Sequence, residues 1–357
     1  VRKLGLLLGV LIGVTAFAQP SSAQSQSLTY QLFQRTLDDL RGEARIPGMS
    51  VVIVHEGRIA WGSGLGHQDL EGRVLARTDT PYPIGSLAQT LGTTLLLRKC
   101  VDQSYLEVND LVTRWTPGYP ETETTIGALL SHTATDGSFR YAPSRMSALK
   151  DVFEACAYHR YPQLLREELF DQLAMVNSVP GQTLSAPTSD EATMFEPAKL
   201  ERYADILRQL AIPYRVVNRL PIRNTDVSPA QLGFAQGVVT SALDLAQFDL
   251  AYDSGYLAQG TRLHALSQAF ANGKPLPTGL GWFVQAYNRE GGGSEPVAWQ
   301  FGVIENAYSS LIVKVPNRRL TLILLANSDG LSAPFALEAG DVTTSIFART
   351  FLKTFLP

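Results

Sequence analysis

Little in this chain points to a metal or a nucleic acid. It has two cysteines and five histidines in 357 residues, and they never group at ligand spacing, which argues against a structural zinc site. Thirty Lys and Arg stand against 33 Asp and Glu, a formal charge of −3. With no basic stripe, a phosphate backbone is a poor partner. No glycine-rich loop links a strand to a helix, so no phosphate cradle is expected. There are no internal repeats. No apolar run beyond the first residues is long enough to cross a bilayer. The expectation is a protein with no cofactor, no metal and no nucleic-acid partner.

What is there suits a globular chain. Hydrophobic residues make up 45% and charged residues 18%, enough to bury a sizeable core. The start reads as a signal peptide over residues 1–23. Arg2 and Lys3 precede the apolar run 4–18, and Ala16-Phe17-Ala18 and Ser21-Ser22-Ala23 are both small-x-small cleavage candidates. Cleavage after Ala23 is favoured. The expected location is periplasmic or secreted, with membrane attachment only through an uncleaved leader. Export permits a disulfide, although two separate buried cysteines is the plainer reading of Cys100 and Cys156.

Hydrophobic periodicity predicts a helix over 28–44, then a hairpin with strands 50–55 and 58–64 turning at Glu56-Gly57. From Thr90 the pattern is helical and apolar nearly all round. Helices are expected at 126–131, 145–158, 161–173 and 242–252. Residues 182–232, with Pro187, Pro197, Pro213, Pro221 and Pro229, read as loops with short helices. Strand signals return at 281–287, 307–315 and 320–326, and 342–355 is helical. The β-rich ends flank a helical middle. Their simplest packing is one antiparallel sheet covered by the terminal helices, with the helical part inserted.

The stretch "PYPIGSLAQTL", residues 81–91, admits two readings. Ser86-x-x-Gln89 spells a capping box, in which the serine accepts from the Gln89 backbone N–H and the glutamine reaches back. Ser-x-x-Lys at that place would open an acyl-transfer site.

Seven segments in order, "IPGMSVVIVHEGRIAWGSGLG", "PYPIGS", "TTIGALLSHTA", "LLREELFDQLAM", "FAQGVVTSALDLAQF", "TGLGW" and "YSSLIVKVPNRRLTLILLANS", resemble the serine β-lactamase superfamily. The nearest branch is that of class C β-lactamases, D-Ala-D-Ala peptidases and related esterases. The resemblance covers roughly residues 28–355. It implies an α+β fold of the β-lactamase/transpeptidase type, with an antiparallel sheet flanked by terminal helices plus a mostly helical inserted domain. One α/β domain would come from 24–80 and 280–357, and the helical domain from 81–279. The implied chemistry is acyl transfer through a serine ester.

Carried over by the resemblance, Ser86 takes the nucleophile position and Tyr141, in "FRYAPS", the tyrosine of the second motif. Gln89 stands where the family has lysine, and Pro143 where it has asparagine. Gln300-Phe301-Gly302, in "AWQFG", matches the strand motif, with Gln300 in place of Lys or His. The backbone N–H groups of Ser86 and Val303 would form the oxyanion hole. The stretch between His132 and Tyr141 is shorter than the family's loop. If the helices that start near Ser86 and Tyr141 run side by side, Cys100 and Cys156 end at their far ends, some ~21–23 Å along, where a disulfide becomes possible.

These departures share one consequence. A serine hydroxyl needs a group to take its proton, and the amide of Gln89 is no base. Losing a general base alone costs about 10²–10⁴ in rate. Lys99, Lys150 and His159 lie too far along their helices to substitute, and His132 is read as structural. Three expectations remain. The chain is a catalytically impaired homologue that binds a small acyl or peptide-like ligand or a protein partner. Alternatively it is a slow serine hydrolase using Ser86 and Tyr141, or a scaffold whose cleft has closed.

Overall fold

The computed structural model describes residues 22–357. The leader reading over 1–23 falls almost wholly outside the described residues. Ten helices follow in chain order: α1 (Ser22–Glu43), α2 (Ala88–Leu96), α3 (Ile126–Leu130), α4 (Ala148–Ala157), α5 (Tyr161–Leu164), α6 (Ser189–Thr193), α7 (Pro197–Arg208), α8 (Ala242–Asp253), α9 (Gln259–Ala265) and α10 (Ile346–Phe355). None of the described helices is long and apolar enough to cross a membrane.

The main sheet has seven antiparallel strands drawn from both ends of the chain. They are β1 (Gly48–His55), β2 (Arg58–Asp69), β3 (Val74–Leu75), β10 (Phe283–Asn288), β11 (Ser294–Ile304), β12 (Tyr308–Val315) and β13 (Leu320–Ala326). Three two-stranded ribbons supply the numbers between: β4 (Tyr82–Pro83) with β7 (Val239–Thr240), β5 (Tyr214–Val217) with β6 (Leu220–Arg223), and β8 (Phe270–Ala271) with β9 (Lys274–Pro275). The main order is β10-β11-β12-β13-β1-β2-β3, so the N-terminal hairpin adds to the C-terminal meander through β1 and β13, with Val52 opposite Ile323.

The middle strands are apolar without alternation because both faces are covered. Every residue of β12 and β13 is buried. Phe33 and Leu37 of α1 and Phe347, Phe351 and Leu352 of α10 pack on one face with Val51, Ile53, Leu322 and Leu324. On the other face Val52, Ile312, Ile323 and Leu325 meet α2, α4 and α8 through Leu91, Phe153, Leu245 and Phe248. Cys100, one turn past α2, and Cys156 in α4 are joined by a disulfide, with Cα atoms 6.2 Å apart.

Several sequence expectations change. The helix expected over 145–158 begins with a 3-10 turn, Pro143–Ser147, and its α part is Ala148–Ala157. The helix expected at 342–355 likewise starts at Ile346, after a 3-10 turn at Val342–Thr344. Residues 182–232 hold a twelve-residue helix, α7, and the β5–β6 hairpin, which the prolines had concealed. Pro197 sits in the first turn of α7, where proline is tolerated.

Candidate active site

The site forms where the start of α2 meets strand β11. Gly85–Leu87 is one 3-10 turn leading into α2. Gly85 has φ +56°, and a Cβ on it would come within 3.1 Å of the Val303 nitrogen. Gly302 is packed more tightly still: a Cβ there would fall 2.0 Å from the Ile84 carbonyl oxygen, closer than any real contact allows. That carbonyl also accepts from Ser310 Oγ at 2.8 Å. Gly302 therefore lets β11 touch the turn that carries Ser86, and so sets the distance between Ser86 and Val303.

The capping box is absent. Neither the turn nor α2 has a side-chain cap, because Gln89 is turned the other way. It is fully buried and bridges His132 and Tyr141. Gln89 Oε1 lies 2.9 Å from His132 Nε2, and Gln89 Nε2 donates to the Tyr141 hydroxyl at 3.2 Å. The Tyr141 hydroxyl donates to Ser86 Oγ at 3.3 Å, and Ser86 Oγ donates to the Phe301 carbonyl at 3.4 Å.

One backbone group fixes the direction of this chain. The Ala142 N–H, which can only donate, points at His132 Nδ1 at 3.3 Å. Nδ1 is then the acceptor and Nε2 carries the proton. Nε2–H must meet an oxygen, so the amide group of Gln89 faces Tyr141 and the phenol proton faces Ser86. Protons thus point from His132 through Gln89 and Tyr141 to Ser86, and end on a main-chain carbonyl. Activation of Ser86 requires the reverse, a neighbour with a free lone pair aimed at the serine proton.

The electrostatics agree with that polarity. Burial, helped by the charge of Arg145, pushes the His132 pKa down to about 3, so the ring is neutral at pH 7. Burial pushes Tyr141 up to about 12, against the lowering effect of its bonds to Ser86 and Gln89. A phenol that titrates there is a proton donor at neutral pH, not a base. Arg140, beside Tyr141 in sequence, is exposed, and Arg145 is committed to Glu121 and to the Thr133 carbonyl. Lys99 is paired with Glu168 at 2.9 Å.

Tyr141 is held by aromatics. Its ring centroid lies 5.3 Å from those of both Phe301 and Phe283 and 4.7 Å from His132. Phe301 thus supports the Tyr141 ring. Gln300 packs inward. It is buried, Nε2 donates to the Gly281 carbonyl at 3.4 Å, and Oε1 accepts from the Phe301 N–H at 2.9 Å. Both ends of its amide are spent on main-chain groups, and it does not line the cavity beside Ser86.

A cavity of about 490 Å³ opens beside Ser86, lined among others by Pro143, Ser144, Phe234, Gln236 and Val303. Ser86 and Val303 share this cavity, and Pro143 borders it without closing it. Sequence reasoning missed two contributors. His132 was read as structural, yet it orients Gln89. The segment 230–237 forms a wall, although its "FAQG" had been noted only as part of the resemblance. No group of His, Cys, Asp and Glu suited to a metal ion occurs among the described residues.

The fold and this constellation define a serine hydrolase type of architecture, and the comparisons agree. The Beta-lactamase family model matches residues 33–342, and the chain belongs to that family. It is 24% identical to Protein flp of Staphylococcus aureus (strain MW2) over 329 residues, 83% of this chain and 62% of that protein. It is 28% identical to the human mitochondrial serine beta-lactamase-like protein LACTB over 143 residues, 38% of this chain and 25% of that one. The chain thus spans less than two thirds of the length of these relatives. Among solved structures, the D-alanine carboxypeptidase AmpC from Burkholderia cenocepacia superposes with a TM-score of 0.66 at 20% identity, covering 93% of this chain and 100% of that one. A class C beta-lactamase from Rhodobacter sphaeroides gives 0.65 at 16%, with coverage of 93% and 98%. At these identities the likeness concerns the fold.

Proposed function

We propose that this chain is a catalytically impaired member of the Beta-lactamase family whose Ser86 cleft binds an acyl-type ligand without turning it over efficiently. The observation that carries the reading is the one-way hydrogen-bond chain. The serine proton ends on the Phe301 carbonyl, and Gln89, Tyr141 and His132 are all spent as donors toward Ser86. What remains is a shaped cavity and two backbone N–H groups, those of Ser86 and Val303, positioned by Gly85 and Gly302 as an oxyanion site. The open cavity argues against the scaffold with a closed cleft.

The test is intact-protein mass after incubation with an uncharged activated ester, p-nitrophenyl hexanoate, on wild type, Ser86→Ala and Gln89→Lys. The expected result is no adduct on wild type or Ser86→Ala and an adduct on Gln89→Lys. Rapid Ser86-dependent acylation of the wild type would instead establish a working hydrolase. That second reading draws support from one feature: Tyr141 already donates to Ser86 Oγ, the contact a proton shuttle would use.

Export belongs to the same proposal. The leader-like segment and the Cys100–Cys156 disulfide both suit an oxidising compartment. Fractionation of cells expressing the chain checks it, and a cytosolic pool with reduced cysteines would overturn it.

A further inference from the structure

The wall of the Ser86 cavity has a chemistry of its own. Among the described residues, the thirteen that line it include no Asp, Glu, Lys, Arg or His. The polar side chains are Ser86, Ser144, Ser147 and Gln236, all neutral. The apolar part comes from Pro143, Ala230, Phe234, Ala235, Val303 and Ile304 with three glycines.

Arg145 follows Ser144 in sequence, but its guanidinium pairs with Glu121 and donates to the Thr133 carbonyl. His132 is buried and neutral behind Gln89. Arg215 lies in a separate depression that meets the cavity only at Ile304, and Asp226 and Glu305 share that depression with it. A ligand carboxylate placed in the cavity would lose its water and find no cation, an arrangement that is strongly unfavourable. An uncharged group of the same shape would lose little and gain the burial of its apolar atoms.

We infer that the cavity selects uncharged acyl compounds, namely esters and amides with an apolar acyl chain, and discriminates against carboxylate-bearing ones. The cavity of about 490 Å³ is of the size that holds small organic ligands. The acyl carbonyl oxygen sits toward the Ser86 and Val303 N–H groups, and the chain lies along Phe234 and Ala235. Ser144, exposed at the rim, is the position where one cation would reverse the preference. This inference rests on the reading of the cleft as a ligand site and adds the class of ligand.

The experiment uses a matched pair that differs only in charge, hexanoyl-alanine and its carboxamide. Binding of both to the full chain is followed by ligand-observed NMR, with Ala235→Trp as the variant that fills the cavity. The carboxamide is expected to bind at least about tenfold more tightly than the acid, ~1.4 kcal/mol, and to lose binding in Ala235→Trp. In Ser144→Arg the ratio should fall by about tenfold or invert. A wild type that binds the acid as well as or better than the carboxamide, with both lost in Ala235→Trp, overturns the selectivity and keeps the ligand site. Binding of neither, or binding that Ala235→Trp does not affect, overturns the ligand site and the selectivity with it.

Discussion

Two polar clusters pack against neighbouring strands of the same sheet, and they are built on opposite plans. Beside β11, Ser86, Gln89, Tyr141 and His132 form a chain of neutral groups. On β12, Lys314 is fully buried, 2.8 Å from both Asp249 and Asp253 of α8 and 3.4 Å from Thr321 Oγ1 on β13. The ring of Tyr252 lies 5.9 Å from its ammonium. Burial raises Asp249 above the usual carboxylate range, and the Lys314 charge opposes the rise. The protein thus keeps a buried ammonium where it ties a helix to a sheet, and has a neutral amide at Gln89, three residues from Ser86. The fold can hold a buried lysine when enough acceptors surround it. The neutrality at Gln89 is a property of that position and not a limit of the scaffold.

The largest effect should come from breaking the charged cluster. Lys314→Ala leaves two carboxylates facing each other without their cation, and removal of one partner from a buried pair costs about 3–5 kcal/mol. Urea denaturation would read this as a fall in the midpoint, and a loss under about 1 kcal/mol would mean that water reaches the carboxylates and the pair is not structural. Next comes the conversion of the neutral cluster. Gln89→Lys puts an ammonium against the Tyr141 hydroxyl, lowers the phenol pKa, and offers Ser86 a base. Acylation of Ser86 should rise by about 10²–10⁴. A folded Gln89→Lys protein that still gives no adduct would overturn the proposal that position 89 limits acylation.

Much of this contrast was legible in the sequence, unevenly. Gln89, Pro143 and Gln300 were singled out as letters through the resemblance, because a motif is local and each of its positions carries one expected residue type. Their consequences were not. The polarity of the chain depends on the Ala142 N–H meeting His132 Nδ1, a contact set by the left-handed conformation of His132, φ +55°, which no spelling displays. The inner strands β1, β12 and β13 were readable from their apolar runs. Strand β11, "SEPVAWQFGVI", was placed only through the resemblance, since Gln300 and Gly302 interrupt any period. Lys314 drew no notice, because one lysine in a strand usually points to water. Its burial follows from the acidic pair on α8, far along the chain.

His132 offers a smaller effect with a defined sign. Its folded pKa of about 3 lies below the ordinary imidazole value near ~6.5. A depressed pKa contributes stability that is present above the unfolded value and lost as pH falls toward the folded one. By pH 5 the loss is about 2 kcal/mol. Asp244, raised to about 6 mainly by burial, acts in the other direction. The clean measurement is therefore the difference between wild type and His132→Asn, since asparagine tolerates a left-handed backbone. The wild-type advantage should shrink by about 2 kcal/mol between pH 7 and 5. A constant difference would mean that His132 titrates normally and is open to water.

The smallest effect separates packing from chemistry at Tyr141. Tyr141→Phe keeps the ring on Phe301 and Phe283 and removes a hydroxyl whose two bonds, at 3.2 and 3.3 Å, are long for their type. The stability cost should be about 0.5–1.5 kcal/mol, whereas Tyr141→Ala, which empties the aromatic pocket, should cost about 3–5 kcal/mol. In the Gln89→Lys background the same loss of a hydroxyl should abolish most of the restored acylation while leaving stability near that of the parent, because there the hydroxyl carries a proton rather than weight. If Tyr141→Phe alone costs as much as the alanine variant, the neutral cluster is a structural tie like the one at Lys314, and the two clusters differ in charge but not in purpose.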